Sequence, residues 1–146
     1  AKLMSYTQGC ALLQAGSREH GFGTDLASVA RIWTAGCIIR ARLLERIHAA
    51  FVRQPELPLL LLDPDIGAEI ARCLPSWRRV VARSVEAGIA VPALAASLTY
   101  FDTLATAHGS AKLIQALRDC FGAHTYQRLD APGVAVHSPW STLPRL

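Results

Sequence analysis

Apolar residues recur at spacings of three and four along almost the whole chain, and glycine and proline interrupt that rhythm at intervals. This pattern admits helices and little else, because a half-buried strand needs strict alternation and none runs convincingly here. Leu3, Tyr6, Cys10 and Leu13 mark a first helix over residues 2–19, which Gly21 and Gly23 end. Thr24 or Asp25 caps a second, with Leu26, Val29, Ile32 and Trp33 on one apolar face. Gly36 predicts a kink or a close contact, after which the helix continues to about Arg53 on a stripe of Cys37, Leu44, Ile47 and Phe51, with Ile38 widening it. Asp63-Pro64 reads as an N-cap followed by proline at the first helical position. Pro75 predicts a break or kink, and Gly88 a C-cap. Pro92 opens a helix to about Ala107, and Ser110 caps another running from Ala111 to Phe121 and ending at Gly122. The product is an all-α fold of six or seven helices over residues 1–128. Residues 129–146, rich in Pro, Gly and Ser, form an extended C-terminal tail.

A chain of 146 residues buries a core without metal or disulfide support. The apolar share of 51% and mean hydropathy of +0.26 leave room for a further buried face, such as a subunit interface. No window approaches the roughly 18 apolar residues of a membrane span, and no signal peptide is visible. The first residue is Ala1, not Met, so a piece of a longer protein is an open reading. Cys10, Cys37, Cys73 and Cys120 form no C-x-x-C pair, and His20, His48, His108, His124 and His137 never fall three or four apart. A helical metal site is therefore not expected, and the cysteines read as buried, reduced thiols of a cytoplasmic protein. The net charge is +4, and Arg supplies 13 of the 15 basic side chains. The densest cluster, Trp77–Arg83, alternates arginine with valine and reads as a solvated helix face rather than a nucleic-acid surface.

No G-x-G-x-x-G follows a strand, and there is no phosphate-binding loop, nucleophile elbow or paired catalytic carboxylate. One stretch stands out: RDCFGAHTYQR, residues 118–128. On an unbroken helix Arg118 and His124 would point about 120° apart. The glycine between them changes that. Either Arg118 meets carbonyls at a helix C-terminus and His124 caps a loop, or the break aims both at something outside the domain.

Residues 113–126, LIQALRDCFGAHTY, resemble the C-terminal signature of decarboxylating 6-phosphogluconate dehydrogenases, commonly LIQAQRDYFGAHTY. Further blocks are similar in the same order: SYTQG at 5–9, ARIWTAGCIIR at 30–40, LLLDP at 60–64, SWRRVV from Ser76, GIAVPA from Gly88 and YFD at 100–102. Departures lie near the signature: Gly109-Ser110-Ala111-Lys112 stands where the family has LPAN, Leu104-Ala105 where it has Tyr-Arg, and Cys120 where it has Tyr. The resemblance covers roughly residues 1–140. It implies the later part of that family's all-α domain, forming a homodimer, plus its tail. In this family an NADP-dependent oxidoreductase of the pentose phosphate pathway converts 6-phosphogluconate to ribulose 5-phosphate and CO2. The resemblance implies that Arg118 and His124 are substrate-binding residues serving the partner subunit's site. It also implies that the nucleotide-binding domain and the catalytic lysine and glutamate lie upstream. This segment alone then binds no cofactor, has no catalytic residue and is inactive, with no nucleic acid or membrane partner. The alternative expectation is a stand-alone, non-catalytic helical interaction module.

Overall fold

A computed structural model describes residues 1–142 and resolves two compact units, Ala1–Asp102 and Thr103–Leu146. The first begins with α1 (Lys2–His20), which buries Leu3, Met4, Tyr6, Thr7 and Cys10. Gly21 stops it with φ 67°, a left-handed conformation that glycine adopts without a Cβ penalty. Asp25 caps α2 (Leu26–Ile32), accepting from the amides of Ala27 and Ser28, both at 3.1 Å. The buried face of α2 is Leu26, Ala27 and Ala30; Ile32, expected inside, is exposed.

The sequence reading carried a helix from Cys37 to Arg53. Instead, residues 33–42 form turns and bends, and α3 spans Leu43–Arg53. Gly36 sits at φ 74°, a left-handed conformation that no helix continues, within a bend rather than a kinked helix. A tertiary contact holds the segment, the Tyr6 hydroxyl donating to the Ile39 carbonyl at 2.5 Å, and within it the Cys37 thiol donates to the Trp33 carbonyl at 3.2 Å. Ile38 accordingly faces solvent, while Leu44, Ile47 and Phe51 line the core as expected. His48 Nδ1 donates to the Ala27 carbonyl at 2.8 Å and ties α3 to α2.

Asp63 caps α4 (Pro64–Glu86) through the amides of Asp65 and Ile66. Arg53 reaches the same carboxylate at 2.5 Å, joining the end of α3 to the start of α4. Pro75 neither breaks nor ends α4. It removes one hydrogen bond, but Ile66, Ile70 and Trp77 are buried on either side of it and hold the helix on the core. The indole of Trp77 donates to Leu94 at 3.2 Å, and Arg78 pairs through both terminal nitrogens with Asp102. After Gly88 (φ 68°), α5 spans Pro92–Ala105. No helix of the described residues is long and apolar enough to cross a membrane. The cysteines are free, but only Cys10 is buried; Cys37 is half-buried, and Cys73 and Cys120 are exposed. Burial pushes the Cys10 thiol up to about 11.

The second unit holds α6 (Ala111–Gly122) and an antiparallel hairpin, β1 (Tyr126–Arg128) with β2 (Ala131–Val136). Tyr126 pairs with Val136 and Gln127 with Ala135, with a register shift before Arg128 pairs with Ala131. The stretch expected to be extended from residue 129 is thus extended over β2 but paired. Ser110 precedes α6 in helical geometry and makes no side-chain cap, contrary to the sequence reading. Part of the predicted tail, residues 143–146, lies outside the described residues.

Candidate functional site

The sequence of α6, AKLIQALRDCFG, is built mostly from good helix formers. Its end is unusual. The left-handed residue is Ala123 (φ 49°), not the adjacent Gly122, and its amide bonds to the Asp119 carbonyl at 2.9 Å. Thr125 is also left-handed, at φ 59°. Two such non-glycine residues cost about 1–2 kcal/mol each, and they flank His124 directly. Gly122 has a different task. A Cβ there would lie 2.8 Å from both Cδ2 and Nε2 of His124, so the imidazole occupies the space a side chain would take.

Asp119 offsets this strain. It is fully buried, and both carboxylate oxygens are engaged. Oδ1 accepts from the Thr125 amide and from His137 Nδ1, each at 2.9 Å. Oδ2 accepts from the Ser138 amide at 3.0 Å and the Trp140 indole at 2.8 Å. Burial alone would raise this carboxyl. The bonds from Ser138, His137, Trp140 and Thr125 together outweigh burial and hold it well below the usual carboxylate range. One residue therefore fastens both the His124 turn and the segment after β2 to the end of α6. Tyr126 and Ser138 add a hydroxyl pair at 2.7 Å.

One turn earlier, Gln115 uses both ends of its amide. Nε2 donates to the Thr125 carbonyl at 2.5 Å, and Oε1 accepts from Arg118 Nη1 at 3.1 Å. The two residues singled out in the sequence, Arg118 and His124, are both exposed at this end of α6, one before the left-handed turn and one after it. A guanidinium and an imidazole so presented suit a phosphate or carboxylate arriving from outside. They do not line the cavity of about 610 Å³ beside the first half of α6, whose walls include His108, Lys112, Tyr126, Arg128 and Trp140.

Sequence reasoning missed Asp119 and Gln115. A signal was present for the first. An acidic side chain in the last turn of a helix opposes the helix dipole, so Asp119 calls for a compensating set of donors.

A dinucleotide needs a glycine-rich turn between a strand and a helix N-terminus. Among the described residues both strands belong to one hairpin and neither leads into an α-helix, so these residues do not fit a nicotinamide dinucleotide. No group of three or more His, Cys, Asp or Glu among the described residues has the arrangement of a metal site.

The family described as 6-phosphogluconate dehydrogenase, C-terminal domain, matches residues 1–140. The chain is 51% identical to a chloroplastic decarboxylating 6-phosphogluconate dehydrogenase of Oryza sativa subsp. japonica, across 99% of this chain and 28% of that protein. It is 45% identical to the decarboxylating enzyme of Treponema pallidum (strain Nichols), across 97% of this chain and 29% of that one. Among solved structures, the 6-phosphogluconate dehydrogenase of Plasmodium falciparum superposes with a TM-score of 0.86 at 42% identity, covering 94% of this chain and 29% of its own. That protein has been seen with its cofactor NADP+ and with its substrate 6-phosphogluconate. The chain spans less than a third of the length of these relatives. With a matching family description over nearly its whole length, the chain belongs to the 6-phosphogluconate dehydrogenase family and corresponds to its C-terminal helical domain.

Proposed function

We propose that this chain acts as the C-terminal helical segment of a decarboxylating 6-phosphogluconate dehydrogenase, and that Arg118 and His124 contact the substrate in the partner subunit's site. The observation that carries the reading is the end of α6. There Arg118, in the last turns of α6, and His124, on the turn after it, are exposed to solvent, and part-buried hydrogen bonds from Gln115 and Asp119 hold that turn. Three further side chains support an arriving partner. Leu113, Leu117 and Phe121 recur every four residues along α6, and all are exposed. They form an apolar stripe on the helix that carries Arg118, as a homodimer interface requires.

In this reading the Arg118 guanidinium grips the substrate phosphate with two parallel N–H donors. His124 donates a hydrogen bond to the same substrate. These contacts bind and orient; they transfer no proton. NADP supplies the hydride acceptor in the complete enzyme, and nothing on this chain routes a step through it. The isolated chain is therefore expected to show no turnover of 6-phosphogluconate with NADP. In a complete dimer, Arg118→Ala should raise KM for 6-phosphogluconate by about tenfold to a hundredfold, since a hydrogen bond to a charged group contributes about 1.5–3 kcal/mol. An unchanged KM, measured from initial rates, would return Arg118 to a purely local role at the end of its helix.

A further inference from the structure

Arg118 and His124 lie six residues apart, across a turn that the backbone does not favour. Something must hold them in a fixed relation if both are to meet one substrate. Two side chains on α6, Gln115 and Asp119, lie four residues apart and therefore on one face of the helix. They grip the same residue, Thr125, through the two peptide units that flank it. Gln115 Nε2 donates to the Thr125 carbonyl, and Asp119 Oδ1 accepts from the Thr125 amide. Thr125 is one of the two left-handed residues beside His124, so this grip fixes the backbone immediately after the imidazole. On the other side, Gly122 leaves room for the ring to fold back against the helix. The remaining end of the Gln115 amide accepts from Arg118. A single side chain thus touches Arg118 and the residue that follows His124.

We propose that Gln115 and Asp119 are positioning residues for the substrate contact: together they clamp Thr125, which sets His124, while Gln115 also sets the guanidinium of Arg118. The proposal deepens the reading above and rests on it. Gln115 is the more informative of the two, because Asp119 also anchors Ser138 and Trp140 and its loss disturbs the unit more widely. No other side chain among the described residues is shown bridging Arg118 to the His124 turn.

The test uses the complete dimeric enzyme carrying this segment, with 6-phosphogluconate as substrate. Gln115→Met keeps the side-chain length and removes both hydrogen bonds. Its KM should rise about threefold to tenfold, the loss of roughly one net hydrogen bond, with the change falling on KM rather than kcat. In an Arg118→Ala background the same substitution should add less, because part of its action passes through Arg118. Gln115→Glu loses the donor to Thr125 and sets a carboxylate against the Arg118 guanidinium, so it should raise KM both through the His124 turn and by competing with the substrate phosphate for Arg118. Only the first part should persist when Arg118 is alanine. A Gln115→Met enzyme with unchanged KM, while Arg118→Ala raises it, overturns the clamp and leaves the substrate reading standing. Unchanged KM for Arg118→Ala overturns both. Equal, independent effects of Gln115→Met with and without Arg118 reduce Gln115 to a local structural residue and also overturn the proposal.

Discussion

The two units are held together in opposite ways. Every residue of the buried apolar core, from Leu3 to Leu98, belongs to the unit Ala1–Asp102. In the unit Thr103–Leu146 the one buried side chain among the described residues is a carboxylate, Asp119. The first unit gains its stability from many additive contacts, each worth a modest amount. The second depends on a few polar bonds converging on one atom group, and on whatever its exposed apolar stripe meets. Such an arrangement fits the proposed role of presenting side chains outward: the turn is tied down by Asp119 and Gln115, and the helix face is open.

Substitutions should separate these two modes. The largest effect is expected in the apolar unit. Phe51 is buried in its centre, and Phe51→Ala should cost about 3–5 kcal/mol in denaturant unfolding. A cost under about 1 kcal/mol would mean the core is not organised around α3. Next comes Asp119→Ala. Amide hydrogen exchange at Thr125 and Ser138 should speed up by roughly tenfold or more, with the Ala1–Asp102 amides unaffected. Unchanged protection at those two amides would remove Asp119 from its place as anchor.

The same carboxylate makes the second unit sensitive to acid in one direction. Its folded pKa lies below its ordinary value of 3.8. Its contribution is therefore complete above that value and is lost as pH falls from there toward the folded pKa. The indole N–H resonance of Trp140 should hold constant from neutral pH to about pH 4 and move only below it. A shift that begins well above pH 4 would remove the Asp119 carboxylate as the controlling group. The smallest effect is expected from Gly122→Ala. Alanine favours the helix, so stability should change by no more than about 1 kcal/mol. The Cβ nevertheless displaces the His124 ring, and KM in the complete dimer should rise about twofold to fivefold, a fraction of one hydrogen bond. An unchanged KM would show that the ring's resting place on Gly122 is immaterial to the substrate contact.

What the sequence discloses divides along the same line. Helix ends set by local chemistry are legible: the left-handed Gly21, the Asp25 cap, Asp63-Pro64 at the start of α4, and Gly88. Each depends only on residues within a turn of itself. Pro75 misleads because burial of Ile66, Ile70 and Trp77 outweighs one missing hydrogen bond. Residues 33–42 mislead because Tyr6, thirty-three positions away, satisfies the Ile39 carbonyl. At the site, Arg118 and His124 stand out as a motif, but their support does not. Thr125 is gripped by Gln115 and Asp119, and Asp119 by residues 137–140, so the network exists only after β1 and β2 have turned the chain back. Helical periodicity carries no record of that return.

The central claim, that Arg118 serves the neighbouring subunit, is tested most directly with hybrid dimers of the complete enzyme. One subunit carries Arg118→Ala with its nucleotide site intact. The other keeps Arg118 but has its nucleotide site inactivated. The one working site of such a dimer then has an arginine available only from across the interface. The account predicts a KM for 6-phosphogluconate equal to that of the unmodified enzyme. A KM raised to the level of the Arg118→Ala homodimer would contradict it, because the arginine would then act within its own subunit.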